Sequence, residues 1–206
     1  ETEGRTRRSG LWWSLSMESP LDSPRTPRTP RLETKWEETE DYLVADGGKT
    51  IVKEEFGYEQ GAVTEQVCEG EATFMWTFTI NKAFYDDSHS FMGVADMLDE
   101  MAWGFSPCTG SLYWHADKDR WGKECKTRIM GGKALYGKQE GSKVTVICDM
   151  ANHTLAFQIH EAGKEEPEDI VELEQNDCEL PARIKPWVML GHKGDSVTIS
   201  DITELC

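Results

Sequence analysis

The chain has 206 residues, 38% of them hydrophobic, and a net charge of -16, enough for one domain with a packed core and an appendage. No run approaches the ~18 consecutive apolar residues that mark a bilayer-spanning helix, so no membrane role is expected. Residues 1–31 hold six Arg against four acids, while the rest holds 16 basic against 34 acidic side chains; a body that acidic argues against nucleic acid, which calls for a positive surface, and favours basic or neutral peptides.

Residues 1–32 read as a disordered tail. The stretch SMESPLDSPRTPRTPRL interleaves Pro with Arg and has almost nothing to bury, so ordering it would cost entropy with no return. Ser19, Ser23, Thr26 and Thr29 each precede a proline, the minimal pattern for proline-directed kinases, and modification there would turn a basic tail acidic and release it from the acidic body. Trp12 and Trp13 stand apart from this composition. The opening residues carry no clean secretory signal.

The domain is expected over 33–206. Leu43-Val44 and Ile51-Val52 flank Asp46-Gly47-Gly48, a hairpin signal because Gly takes the positive φ of a tight turn. Ala72, Phe74, Trp76, Phe78 and Ile80 alternate with polar or smaller neighbours and predict a core strand with its aromatics packed inward. The loop 81–90 follows, then FMGVAD as a strand in which Gly93 permits close backbone approach. MAWGFSPCTGSLYWH reads as strand, turn and strand, and 115–142 mostly as loop. The segment KVTVICDMANHTLAFQIH at 143–160 is the central hairpin, with Val144, Val146, Cys148, Leu155, Phe157 and Ile159 facing in. At its turn Asp149 is placed to accept backbone N–H groups, and Asn152 to take the left-handed conformation. After an acidic connection, LPARIKPWVMLG and DSVTISDI give the last strands, with Val197 and Ile199 inward. Ten to twelve short strands and no amphipathic helix predict an all-β fold, a jelly-roll-like β-sandwich of antiparallel sheets.

The six cysteines show no metal-ligand spacing, so no metal or cofactor is expected and reduced thiols in an intracellular, cytoplasmic protein are favoured. Catalysis is weakly supported. The carboxylate groups Asp96/Asp99/Glu100 and Asp177/Glu179 fall in loops, which do not fix the ~5–5.5 Å separation that a retaining glycosidase needs, and no histidine accompanies a nucleophile elbow. The chain is therefore expected not to be an enzyme. Phe84-Tyr85-Asp86-Asp87 would suit sugar stacking or an oxygen-ligated calcium ion, which makes a lectin-like carbohydrate-binding sandwich the alternative reading.

In this order the motifs DGGKTIV, WTFTI, FMGVAD, WGFSPCTGSLYWH, VTVICDMANHTLAFQI and LPARIKPWVMLGHKGDSVTISDI resemble a SPRY domain over roughly residues 40–202. The resemblance implies a bent antiparallel two-sheet β-sandwich that binds a protein or short peptide through loops at one end, as a substrate-recognition or scaffold domain without chemistry of its own. Carried over by position, the contact residues are Asp96, Met97, Asp99, Glu100 and Met101 together with Leu190, Gly191 and His192, and Tyr85 and Asp86 join them from the preceding loop. Leu190-Gly191 stands where relatives have a Trp-Gly pair. Trp103-Gly104-Phe105 matches an element read as core.

Overall fold

The computed structural model describes residues 30–57, 61–83, 90–97, 101–117, 126–129, 134–135, 137–164, 166–167, 169–173 and 180–205. Among them the strands are β1 (Arg31–Leu32), β2 (Tyr42–Ala45), β3 (Thr50–Lys53), β4 (Ala62–Val63), β5 (Cys68–Glu69), β6 (Thr73–Lys82), β7 (Phe91–Asp96), β8 (Met101–Ser106), β9 (Ser111–Asp117) and β10 (Lys126–Ile129). The series continues with β11 (Lys143–Asp149), β12 (Thr154–His160), β13 (Asp169–Leu173), β14 (Arg183–Met189), β15 (Ser196–Ile199) and β16 (Ile202–Leu205). One short 3-10 turn, Asp46–Gly48, is the sole helical element among the described residues.

Two antiparallel sheets hold these strands. The larger runs β13-β12-β11-β6-β15-β3-β2, and the smaller β10-β9-β8-β7-β14-β4, with β5 also on β14. The larger sheet bends where β15, after a register shift at Ser196/Val197, gives way to β16 along the same edge of β6. β1 then pairs with β16, Arg31 opposite Thr203 and Leu32 opposite Ile202. Arg31 and Leu32, assigned above to the tail, close the sheet because their backbone satisfies the outer edge of β16.

Period two explains the core. On β6 the side chains of Phe74, Trp76, Phe78 and Ile80 are buried while Thr73, Met75, Thr77 and Thr79 face outward half-exposed. β11 lies beside β6 with Val146 opposite Trp76 and Val144 opposite Phe78, and β12 continues the same rows with Phe157 and Ile159. Across the sandwich Phe105 of β8 stacks on Phe157 of β12, centroids 5.4 Å apart at 28°, which joins the two sheets through their aromatic layer. Trp36, on the segment before β2, stacks on Phe78 at 6.1 Å and its indole N–H donates to the Lys49 carbonyl at 2.9 Å. Trp103 and Phe105 are buried, as expected of a core element.

The turns follow their residue chemistry, with one difference. Asp46, Gly47 and Gly48 all have positive φ, which lets β2 and β3 reverse tightly. In the central hairpin the Asp149 carboxylate accepts the Asn152 backbone N–H at 3.0 Å and its side-chain amide at 2.7 Å, and these bonds lower the Asp149 pKa. The left-handed residue there is His153 (φ 55) rather than Asn152. Asn152 is held by Asp149, so the reversal passes to the next residue, whose Nδ1 lies 2.9 Å from the Leu180 carbonyl. Cys68, Cys108 and Cys148 are buried free thiols, and burial, with Glu204 nearby, pushes the Cys68 pKa up to about 12.

Candidate functional site

The two groups of residues expected to share one surface lie at opposite ends of the smaller sheet. β7 and β14 run antiparallel, with Asp96 opposite Ile184 and Phe91 opposite Met189. Asp96, Met97 and Met101 therefore sit at the end where β14 begins, and Leu190, Gly191 and His192 follow the end where it finishes. Five residue steps at ~3.3 Å each put ~17 Å of sheet between the ends. The expectation of one composite site is corrected by this register.

Burial separates the candidates further. Leu190 is 1% exposed and belongs to the main core; it supports the loop from beneath and is not the partner-contact residue expected above. Gly191 is buried as well, and Asp96 is 7% exposed. Met97 and Met101 are half-buried, Met101 against the core. Tyr85, Asp86, Asp99 and Glu100 lie outside the described residues, as do Ser19, Ser23, Thr26 and Thr29.

His192 is half-buried, like Met97 and Met101, and it stands on a braced platform. Its backbone N–H donates to Asp195 Oδ2 at 3.0 Å, and the Asp195 N–H returns to the His192 carbonyl at 3.0 Å. The Lys53 N–H donates to the Asp195 carbonyl at 2.9 Å, and the Gly194 N–H to the Lys53 carbonyl at 2.8 Å. Below them the buried Lys53 ammonium lies 3.2 Å from Asp41 Oδ2 and 4.5 Å from the centre of the Tyr42 ring. The Tyr42 hydroxyl accepts the Leu190 N–H at 3.1 Å. A buried lysine without such partners would cost several kcal/mol; here the carboxylate and the ring face offset that cost and tie β2, β3 and the segment after β14 together.

On this platform stands a residue that the sequence reading passed over. The Phe56 ring packs at 5.1 Å and 54° against the His192 imidazole, and the Gly57 N–H donates to the Gly191 carbonyl at 3.0 Å. Phe56 is nonetheless 72% exposed, and the other large exposed hydrophobic among the described residues, Leu43 at 52%, is on the nearby edge strand β2. The signal for Phe56 was its place in KEEFG, a lone aromatic outside any alternating run and next to a glycine. Glu54 and Glu55 beside it are exposed. Among the described residues no three His, Cys, Asp or Glu side chains gather as a metal site, and no helix is long and apolar enough to cross a membrane.

No protein-family model matches the sequence, and no curated protein matches it. Solved structures do resemble the fold. The SPRY domain of human HERC1 has 18% identity and a TM-score of 0.55, covering 81% of this chain and 94% of that one. The lectin-like defence protein arcelin-5 of Phaseolus vulgaris has 11% identity and a TM-score of 0.49, with 86% and 96% covered. Peanut lectin with a 9mer peptide has 14% identity and a TM-score of 0.46, with 84% and 92% covered. The likeness to the SPRY domain speaks for architecture alone, and on the strand order and packing above the chain has the SPRY-type β-sandwich fold.

Proposed function

We propose that this domain is a noncatalytic protein-interaction module that receives a short segment of a partner at the end of the sandwich where Phe56 and His192 stack. The observation that carries the reading is Phe56 itself: a large ring, 72% exposed, packed against an imidazole above a hydrogen-bonded platform. An exposed aromatic side chain has only two torsions to order on binding, which suits an interface anchor. Covering ~100 Å² of its apolar surface would contribute ~2.5 kcal/mol. The acidic side chains around it, Glu54 and Glu55, favour a basic or neutral segment. Leu190 and Gly191 act through the position they give the loop, and the group at Asp96, Met97 and Met101 would serve a separate contact at the far end. The buried free thiols fit a reducing, intracellular setting.

The test is selection of binders from a displayed random-peptide library, followed by affinity measurement on variants. Phe56→Ala and His192→Ala are expected to weaken the selected peptides at least tenfold while the melting temperature stays near wild type. Peptides that bind both variants as well as wild type, or that are lost on Met101→Ala alone, would place the surface elsewhere.

A further inference from the structure

The outer face of the larger sheet carries a groove of about 850 Å³ whose lining includes neither Phe56 nor His192. Its floor is made of hydroxyls: Thr77 and Thr145 face each other across β6 and β11 at 2.8 Å, and Thr198 of β15 bonds Thr50 at 2.7 Å. At one end Lys143 lies directly between Thr79 and His160 in the register of β6, β11 and β12. Neither the Lys143 nor the His160 side chain has a hydrogen-bond or ion-pair partner among the described residues. Glu161 beside them is already held by Lys138 at 2.9 Å and Lys164 at 3.1 Å. The groove therefore has a surplus of positive charge on a chain whose net charge is -16, and no Phe, Tyr or Trp lines it. Free ammonium, imidazole and hydroxyl donors converging without an apolar platform suit a tetrahedral oxyanion better than a sugar or an apolar side chain.

We propose that this groove is a phosphoserine site, and that its occupant is the chain's own Ser-Pro segment, phosphorylated at Ser19 or Ser23. Tether length selects the occupant. The Pro30 carbonyl accepts the Glu204 N–H at 3.1 Å, which fixes where the segment joins the sheet, with Arg31 opposite Thr203 and Thr203 opposite Met75. From there Lys143 is three strand spacings across and about five residues along, or ~22 Å. β1 runs parallel to β6, so the chain before Pro30 leaves away from Lys143 and must double back; at no more than ~3.6 Å per residue the Cα of Thr29 and Thr26 lie within ~4 and ~14 Å of Pro30, which the reversal consumes, whereas Ser23 at ~25 Å and Ser19 at ~40 Å keep length for the return. The modification is ordinary phosphoryl transfer. The serine oxygen attacks the γ-phosphorus of a nucleoside triphosphate on a proline-directed kinase, the bond to the bridging oxygen breaks, the diphosphate leaves and the hydroxyl proton passes to the kinase. The resulting group carries ~1.5–2 negative charges and three acceptor oxygens, enough to engage Lys143, His160 and the Thr79 hydroxyl together. Modification would thus fasten this segment to the groove of Lys143 and His160 instead of releasing it from an acidic body.

The experiment places phosphoserine at 19 and 23 of the full chain during translation and compares amide NMR spectra with those of the unmodified chain, each also carrying Lys143→Ala with His160→Ala. Expected are displaced resonances of Thr79, Lys143, His160 and Gly163 in the phosphorylated chain only. They should be independent of protein concentration, restored by the double substitution, and restored by ~1 M salt, where the screening length falls to ~3 Å. Lys143 is exposed and His160 half-buried, and an unchanged melting temperature confirms that the variant folds. Unmoved groove resonances, displacements elsewhere, displacements that survive the double substitution, or equal displacements in the unmodified chain would overturn the proposal. Displacements that grow with concentration would assign the segment to a second copy and overturn it as well.

Discussion

Gly93 of β7 lies against Trp103 of β8 so closely that a Cβ on the glycine would sit 1.9 Å from the Trp103 carbonyl oxygen. That oxygen belongs to a ladder in which Val94 is opposite Trp103 and Gly93 opposite Gly104, so neither backbone can yield alone. Gly93→Ala is expected to destabilise the domain by ~3 kcal/mol or lose the β7–β8 pairing, read as a lower denaturation midpoint with an unchanged unfolding slope.

Leu190 and Phe56 should separate stability from recognition. Leu190→Ala removes a core side chain and is expected to cost ~2–5 kcal/mol, whereas Phe56→Ala should change stability by no more than ~0.5 kcal/mol and weaken partner binding. Chemical denaturation and peptide affinity on the same two variants check this. A large loss of stability in Phe56→Ala would make it a packing residue.

Trp76 is buried, yet its indole N–H finds no acceptor among the described residues. Trp76→Ala should cost ~3–5 kcal/mol through the cavity it leaves. Trp76→Phe should cost far less, because removing an unsatisfied donor recovers ~1–3 kcal/mol against the lost volume. Thermal denaturation of the two variants side by side reads the difference.

Acid should loosen the molecule at two carboxylates. Asp149 is held below the usual carboxylate range by the Asn152 side chain and backbone, and Asp201 by Lys49 and the Thr34 N–H. Their folded-state pKa values lie below the ordinary value of 3.8, so the stability they contribute is present above about pH 4 and is lost as the pH falls through the lowered values. Asp149→Asn and Asp201→Asn should each flatten the acid limb of a stability-against-pH curve while lowering stability at neutral pH.

What could be read along the chain was local periodicity. Alternation at 74–80 and through the hairpin at 143–160 fixes which side chains face in, because a strand's two faces are set by neighbouring residues alone. Gly and Asp at the first turn, and Asp149 at the second, act over two or three residues and were equally legible. The candidate site was not. Its members are joined by registers between strands nearly a hundred residues apart, and only the antiparallel pairing of β7 with β14 decides that Asp96 and His192 face opposite ends. Phe56 carries no period at all.

The sequence by itself determined an all-β sandwich with its aromatic rows inward, since hydrophobic spacing is a property of each strand. Tertiary structure decided which loops share an end, which leucine is core and which phenylalanine is surface, and that Lys143 and His160 lie side by side above a bed of threonines. Those are distances across the sheets, set by pairing partners and packing, and no short window of residues encodes them.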